Sequence, residues 1–209
     1  MIKARDITLS YGKRNIIEGA SFDIERGDAA VFVGDNGSGK STLLSAVAGT
    51  LKPKRGHIEV GARIGYVPQG SGLIEELTFS DNLRFFASLE GVAVPDTLPL
   101  GADYLRKIKI KNMSGGMKKL CSIVCAVITK PEILILDEPC ASLDREHKLL
   151  LRDFLCTIKD EGVTILYVGH DSDEYECFAT KYISVRDTVK VYTPDEYRAV
   201  LDDVSEGSL

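Results

Sequence analysis

A chain of 209 residues with 44% hydrophobic content can bury a full core as one domain spanning residues 1–209, and 26 basic against 31 acidic side chains leave a net charge of −5, without the broad basic footprint that nucleic acid requires. No run of about 20 apolar residues is present to span a bilayer, and Lys3, Arg5 and Asp6 interrupt any apolar core of a leader, so the chain is expected in the cytosol. Cys121, Cys125, Cys140, Cys156 and Cys177 form no Cys-x-x-Cys pair and leave one over, consistent with reduced thiols, and Cys121 and Cys125, one helical turn apart, read as packing residues.

Residues 2 to 9 and 20 to 33 read as strands of an antiparallel layer, the second group broken at Arg26-Gly27-Asp28. The apolar run Ala29 to Val33 leads into Gly34-Asp35-Asn36-Gly37-Ser38-Gly39-Lys40-Ser41-Thr42, and Gly39 to Ala48 reads as a helix. Glycines at this spacing let successive N–H groups turn inward around a phosphate, and the helix start adds its positive dipole end. Gly34, Asn36, Gly37, Ser38, Gly39 and Thr42 are therefore candidate nucleotide-binding residues, with Lys40 reaching the β and γ oxygens, Thr42 the α-phosphate and Ser41 a Mg2+ ion.

Arg63 to Val67 reads as a core strand ending near Gln69, and from Gly70 to Lys111 the composition shifts to Gly, Pro and acidic residues around helical pieces such as Ser80 to Leu89, with Ser80 as its cap. This stretch is expected to form a small inserted helical subdomain, approximately residues 72–128. Within it Arg106 to Lys111 alternates basic and apolar residues and reads as a solvated edge. Ser114-Gly115-Gly116 opens a helix with apolar residues Met117, Leu120, Ile123, Val124 and Val127 at helical spacing, whose free N–H groups and Ser114 hydroxyl make a second anion site. Ile133 to Leu136 is a buried parallel strand ending in Asp137 and Glu138 and stopped by Pro139, which puts two carboxylates where the sheet binds ligand. Asp137 can hold Mg2+ through water, and Glu138 can orient or deprotonate an attacking water. Arg145 to Lys159 is expected to bury Leu149, Leu150, Phe154, Leu155 and Ile158 on one face. Val163 to Val168 is a strand followed by Gly169 and His170, Tyr182 to Val185 and Val189 to Tyr192 form a last hairpin, Pro194 to Leu201 a short helix, and Asp202 to Leu209 a loose polar tail.

These motifs, in this order from Tyr11 to His170, resemble the ATP-binding cassette (ABC) ATPases. The resemblance implies an α/β fold: a P-loop core with a mostly parallel sheet, an antiparallel β layer and the helical subdomain. By the same resemblance Tyr11 stacks on adenine, Gln69 contacts Mg2+ and the lytic water, Asn112-Met113-Ser114-Gly115-Gly116-Met117 is the signature, Ala141-Ser142-Leu143-Asp144 the loop beside it, and His170 the switch histidine that reaches the γ-phosphate. The implied catalytic residues are Glu138, His170 and Gln69, the implied metal residues Ser41, Gln69 and Asp137. Two subunits would pair head to tail, as homodimer or heterodimer, with each ATP between the P-loop of one and the Ser114-Gly115-Gly116 and Asp144 of the other. A separate transmembrane permease would contact Gly70 to Asn82, holding the chain on the cytoplasmic face of the membrane. Met117 stands where the signature usually has glutamine, and Met113 where leucine is common. The Ser-Gly-Gly-Met-Lys-Lys form and the 45 positions from Gln69 to Ser114 resemble the exporter branch. The other reading is a soluble cassette ATPase of the iron-sulfur assembly type. A P-loop GTPase or kinase fits less well, since neither has a place for Ser114-Gly115-Gly116 with Asp144 and His170, and no Asn-Lys-x-Asp motif occurs.

Overall fold

A computed structural model describes residues 1–12, 14–186 and 188–206. Among the described residues nine strands fall into two sheets. The smaller is antiparallel, in the order β2-β1-β4, from β1 (Ile2–Tyr11), β2 (Arg14–Ile24) and β4 (Arg55–Val60). The larger has the order β5-β6-β7-β3-β8-β9, built from β3 (Ala29–Val33), β5 (Ile64–Val67), β6 (Ile133–Asp137), β7 (Thr164–Val168), β8 (Lys181–Val185) and β9 (Val189–Tyr192). It is parallel except for the final β8-β9 hairpin. This is the mostly parallel α/β core with an antiparallel layer that the motifs imply.

Every residue of β3, β6 and β7 is buried, as expected of strands covered on both faces. Side-chain alternation sorts them into two cores. Ala30, Phe32, Ile133, Ile135, Leu166 and Val168 pack with the antiparallel sheet and with Leu43 and Leu44 of α1 (Lys40–Val47). Their neighbours Ala29, Val31, Val33, Leu134, Leu136, Ile165 and Tyr167 face the other way, onto Leu120, Ile123 and Val124 of α3 (Gly115–Ile128) and Leu151 and Leu155 of α4 (Arg145–Asp160). Between β5 and β6, α2 (Phe79–Leu89) and the 3-10 turns Pro99–Leu105 and Ile110–Asn112 join that second core through Phe79, Leu83, Leu105 and Ile110. The basic run behaves as a solvated edge: Ile108 and Ile110 pack inward, Lys107, Lys109 and Lys111 are exposed, and Arg106 pairs with Asp103 at 2.8 Å. No helix among the described residues is long and apolar enough to cross a membrane.

The structure corrects several local expectations. Residues 20 to 33 do not share one layer: 20–24 belong to β2, whereas Ala29–Val33 is a central strand of the parallel sheet, because its unbroken apolar run satisfies two buried faces. Strand β4 was not expected from a sequence as polar as Arg-Gly-His-Ile-Glu-Val. It is an edge strand, and pairing with β1 supplies what its composition does not. Helix α2 is capped by Thr78, not Ser80. The Thr78 oxygen accepts from the Asp81 N–H at 3.2 Å and its hydroxyl donates to the Asp81 carboxylate at 2.6 Å, so that Phe79 enters the helix with its ring buried. On α4 the buried face is Leu151, Phe154, Leu155 and Ile158, an i, i+3, i+4, i+7 series, while Leu149 and Leu150 are 42% and 45% exposed. Three successive leucines leave the helical phase undecided until the helix meets the sheet. Helix α5 (Pro194–Glu206) runs past Leu201, through the first part of the expected tail, and residues 207–209 of that tail lie outside the described residues.

Candidate active site

The loop between β3 and α1 is shaped by its glycines. Gly34, Gly37 and Gly39 have φ of 145°, 82° and 106°, which side chains disfavour. At Gly34 and Gly39 space forbids a side chain as well: a Cβ on Gly34 would overlap the Val185 carbonyl, and one on Gly39 would lie 2.8 Å from Ile16 Cγ2. Gly39 is the N-cap of α1 and brings no side-chain acceptor, so the first turn keeps N–H groups for a ligand. Two further features suit an anion. Ser38 Oγ is buried without a hydrogen-bond partner among the described residues. The Lys40 ammonium, on a side chain only 7% exposed, is folded back onto the carbonyls of Gly34 and Asp35 at 2.8 and 2.9 Å. A buried cation held by its own loop is available to a phosphate entering the same turn. Asp35, Asn36, Gly37 and Ser38 bound an open depression of about 530 Å3 with Arg14, Ile16 and Arg186. Tyr11 ends β1 outside that lining, 61% exposed.

The carboxylates stand at the carboxyl end of β6. Ser41 donates to Asp137 at 3.0 Å, joining the first turn of α1 to the central sheet. Burial pushes the Asp137 carboxyl above its usual range, opposed by that hydrogen bond. A hydroxyl beside a buried carboxylate is an all-oxygen donor pair of the kind Mg2+ accepts, so these residues fit the implied ion. Glu138 takes a left-handed φ of 48°, held by its N–H to the Val168 carbonyl at 3.0 Å. Its two oxygens face two other loops. Gln69, after β5, donates to Oε2 at 3.1 Å, and His170 Nε2, after β7, is 3.3 Å from Oε1. Three neighbouring strands thus bring Gln69, Glu138 and His170 together. The resemblance implies that His170 reaches a γ-phosphate; here its ring nitrogen lies against Glu138, a contact that motif spacing does not predict.

Lys119 was missed altogether. It lies on α3, nearly buried, and donates to the carbonyls of Pro68 and Gln69 at 2.9 and 2.8 Å, fixing the backbone from which Gln69 projects. Burial lowers its pKa, and the charges of Asp137 and Glu138 act against that. Only its place in a helix-spaced apolar series could have hinted that a lysine there faces inward.

Ser114, Gly116 and Asp144 are gathered elsewhere. Together with Met117, Ser142 and His147 they line a hollow of about 160 Å3 that shares no lining residue with the depression at the P-loop. Ser114 is exposed and caps α3, accepting from the Met117 N–H at 3.3 Å, and Gly115 beside it is exposed too. Gly116 packs on the backbone of Ser142, and a Cβ there would lie 2.6 Å from the Ser142 carbonyl oxygen. Asp144 caps α4 through the His147 N–H at 2.9 Å and also meets His147 Nδ1 at 2.9 Å, contacts that hold its carboxyl below the usual range. Cys121 and Cys125 pack in the core, Cys121 with its thiol 3.6 Å from the sulfur of Met113.

The sequence matches the family model described as ABC transporter over residues 17–141, more than half of the chain. The chain belongs to the ABC transporter family. Within it the chain is of the ATP-binding subunit type and carries the ABC ATPase domain. The linearmycin resistance ATP-binding protein LnrL of Bacillus subtilis (strain 168) is 32% identical over 196 residues, 84% of this chain but 63% of that protein, which extends beyond the matched region. The ergothioneine transport ATP-binding protein EgtV of Helicobacter pylori (strain G27) is 30% identical over 207 residues, 89% of this chain and 97% of that protein. Among solved structures, the dimeric post-hydrolysis state of the ATP-binding cassette MJ0796, bound to ADP and Pi, has a TM-score of 0.83 at 22% identity, covering 92% of this chain and 98% of that one, and so shares the cassette fold.

Proposed function

We propose that this cassette hydrolyses ATP to drive a separate membrane permease, and that two cassettes close around ATP to do so. The observation that carries the reading is the convergence of Gln69 and His170 on Glu138, beside a Ser41–Asp137 pair at the mouth of the P-loop. In this reading the P-loop backbone from Gly34 to Gly39 takes the phosphates and Thr42 the α-phosphate, Tyr11 stacks on the base, and Lys40 leaves its two carbonyls to compensate the β and γ charges. Ser41, Asp137 and Gln69 would hold Mg2+, which would supply charge neutralisation at the terminal phosphates. Glu138 accepts the proton of the attacking water or aligns it, while Gln69 and His170 hold its carboxylate against rotation. Lys119 keeps Gln69 in reach.

The separation of the two hollows supports a composite site. Ser114, Gly115 and Asp144 are exposed, with Gly116 half-buried beside them, and in this reading they meet the ATP of a second cassette; that the MJ0796 cassette is dimeric is consistent with such pairing. An isologous contact makes two equal sites in a homodimer, and a heterodimer with another nucleotide-binding subunit uses the same surfaces. Residues 1–209 act as one ATPase domain, with 72–128 as the subdomain that relays closure to a permease through Gly70 to Asn82. The cassette then sits on the cytoplasmic face of a membrane, and the short Gln69 to Ser114 spacing favours an exporter.

Phosphate release by the purified chain and by Glu138→Gln tests the enzyme. Equal rates would remove Glu138 from catalysis. Purification from detergent-solubilised membranes tests the transporter: a stoichiometric multi-span membrane protein supports it, and an active cassette recovered only from the soluble fraction favours the assembly ATPase instead.

A further inference from the structure

Behind the site, a chain of side chains joins the loop that carries Glu138 to the loop that carries His170. Tyr167, three residues before His170, is fully buried, its ring fixed against Tyr175 and Phe178 at centroid distances of 5.9 and 5.6 Å. Its hydroxyl donates to Glu174 Oε2 at 3.0 Å and lies 3.4 Å from the thiol of Cys140. One hydroxyl proton serves one acceptor, and the carboxylate is the stronger. Burial pushes the Cys140 thiol up to about 11, so it stays a neutral thiol and only a weak second acceptor for the Tyr167 hydroxyl. The second Glu174 oxygen accepts from Lys148 of α4 at 3.1 Å, and Lys148 also faces Asp171 at 3.8 Å.

The positions of these residues give the chain its meaning. Cys140 lies two residues after Glu138, Glu174 four after His170, and Lys148 four after Asp144. Gly169 presses against the same groups: a Cβ there would overlap the Tyr167 ring and lie 2.7 Å from Glu174 Oε2. The backbone entering His170 therefore rests directly on the Tyr167–Glu174 pair. Glu138, with its left-handed φ of 48°, needs surroundings that over-determine its conformation.

We infer that Tyr167, Glu174 and Lys148 form a strut, buried at Tyr167 and partly exposed at Lys148, that sets the relative placement of Glu138, His170 and the Asp144 loop, acting as positioning residues for ATP hydrolysis. The inference rests on the reading of Glu138 as the group that acts on the attacking water, with His170 holding it in place. A carboxylate with 9% of its side chain exposed is held at both oxygens by groups from different elements, and turning it away would leave both contacts unmade. The three loops consequently keep one geometry, and the strut acts on turnover, not on nucleotide capture.

The test uses the full chain with Tyr167→Phe, Glu174→Gln and the double variant, measuring kcat for ATP hydrolysis, the Kd for ATP and the folded fraction at assay temperature. A small misplacement of reacting groups costs up to about 100-fold, so each single variant should lose about 10- to 100-fold in kcat per folded molecule. Affinity for ATP should stay within about threefold, because groups that act only on the reaction leave ground-state binding alone. The double variant should be no slower than the slower single one, since residues acting as a unit are not additive. Parental kcat per folded molecule in both single variants would overturn the strut, as would a loss shared equally between Kd and kcat. If Tyr167→Phe fails to fold, Lys148→Met at the outer end of the strut replaces it under the same criteria. Failure of the underlying reading shows differently, as parental turnover in Glu138→Gln, and that result also ends the case for positioning.

Discussion

Two helix starts in this cassette offer N–H groups to an anion, at Lys40 and at Gly115, and they are finished in different ways. The first is completed within the chain. Its N-cap is a glycine with no side chain to occupy the N–H groups, its lysine is buried, its serine already touches Asp137, and Gln69, Glu138 and His170 converge beside it. The second is left open: Ser114 caps its own helix, Ser114 and Gly115 are exposed, and the nearby carboxylate, Asp144, is engaged in capping α4. A phosphate chain needs positive groups from more than one side. On the proposed reading, the difference fits a P-loop that binds nucleotide alone and a signature helix that meets the nucleotide of a second cassette.

Four experiments break or sharpen that contrast. The largest effect should come from Glu138→Gln, which removes the proton acceptor from the completed site and, at the scale of general base catalysis, should lower turnover about 10²- to 10⁴-fold with ATP binding retained. Size-exclusion chromatography with ATP should then show an accumulated dimer. Ser114→Arg attacks the open site instead. Loss of a phosphate-facing donor costs about 10²- to 10³-fold in turnover, and the monomer should bind ATP as the parent does. Mixed with Lys40→Ala, it should regain part of the activity, because one of the two composite sites in the heterodimer then carries neither defect. Ser114→Arg is cleaner than Gly116→Asp, since any side chain at Gly116 also collides with Ser142. Loss of ATP binding by a Ser114→Arg monomer would refute the two-chain site.

Lys40→Ala removes a charge-assisted contact worth roughly 1.5 to 3 kcal/mol, so calorimetry should report about 10- to 150-fold weaker ATP binding. Unchanged affinity would remove Lys40 from the phosphate site. The smallest effects separate the two starts in the absence of nucleotide. Ser114→Ala loses a cap worth about 1 kcal/mol and should lower the unfolding midpoint by about 2 to 4 °C. Ser38→Ala deletes a buried oxygen that has no partner among the described residues and should leave the midpoint unchanged or raise it, while weakening ATP binding. If both variants melt alike without nucleotide and bind ATP alike, the contrast between the starts is lost.

What could be read in the chain beforehand tracks how local the physics is. The turn from Gly34 to Thr42 was legible because its shape is set by glycines close together in the chain, at Gly34, Gly37 and Gly39. The run Ile133 to Leu136 and the carboxylates after it were legible because a strand buried on both faces demands unbroken apolar residues. Contacts between distant segments were not. Lys119 was passed over in a helix judged by its apolar positions, and Tyr167 gave no sign that its hydroxyl would meet Cys140 and Glu174.

The sequence by itself determined the P-loop, the buried strands, the order of the motifs and the family, since these depend on residue type and spacing along a few turns of chain. Only the tertiary structure decided which leucines of α4 face the sheet, that Thr78 caps α2, that polar β4 pairs with β1, and that Gln69 and His170 close on the two oxygens of Glu138. The reason is the same in each case. Helical phase, cap choice and edge pairing differ locally by about 1 kcal/mol or less, so burial against a distant surface selects among them.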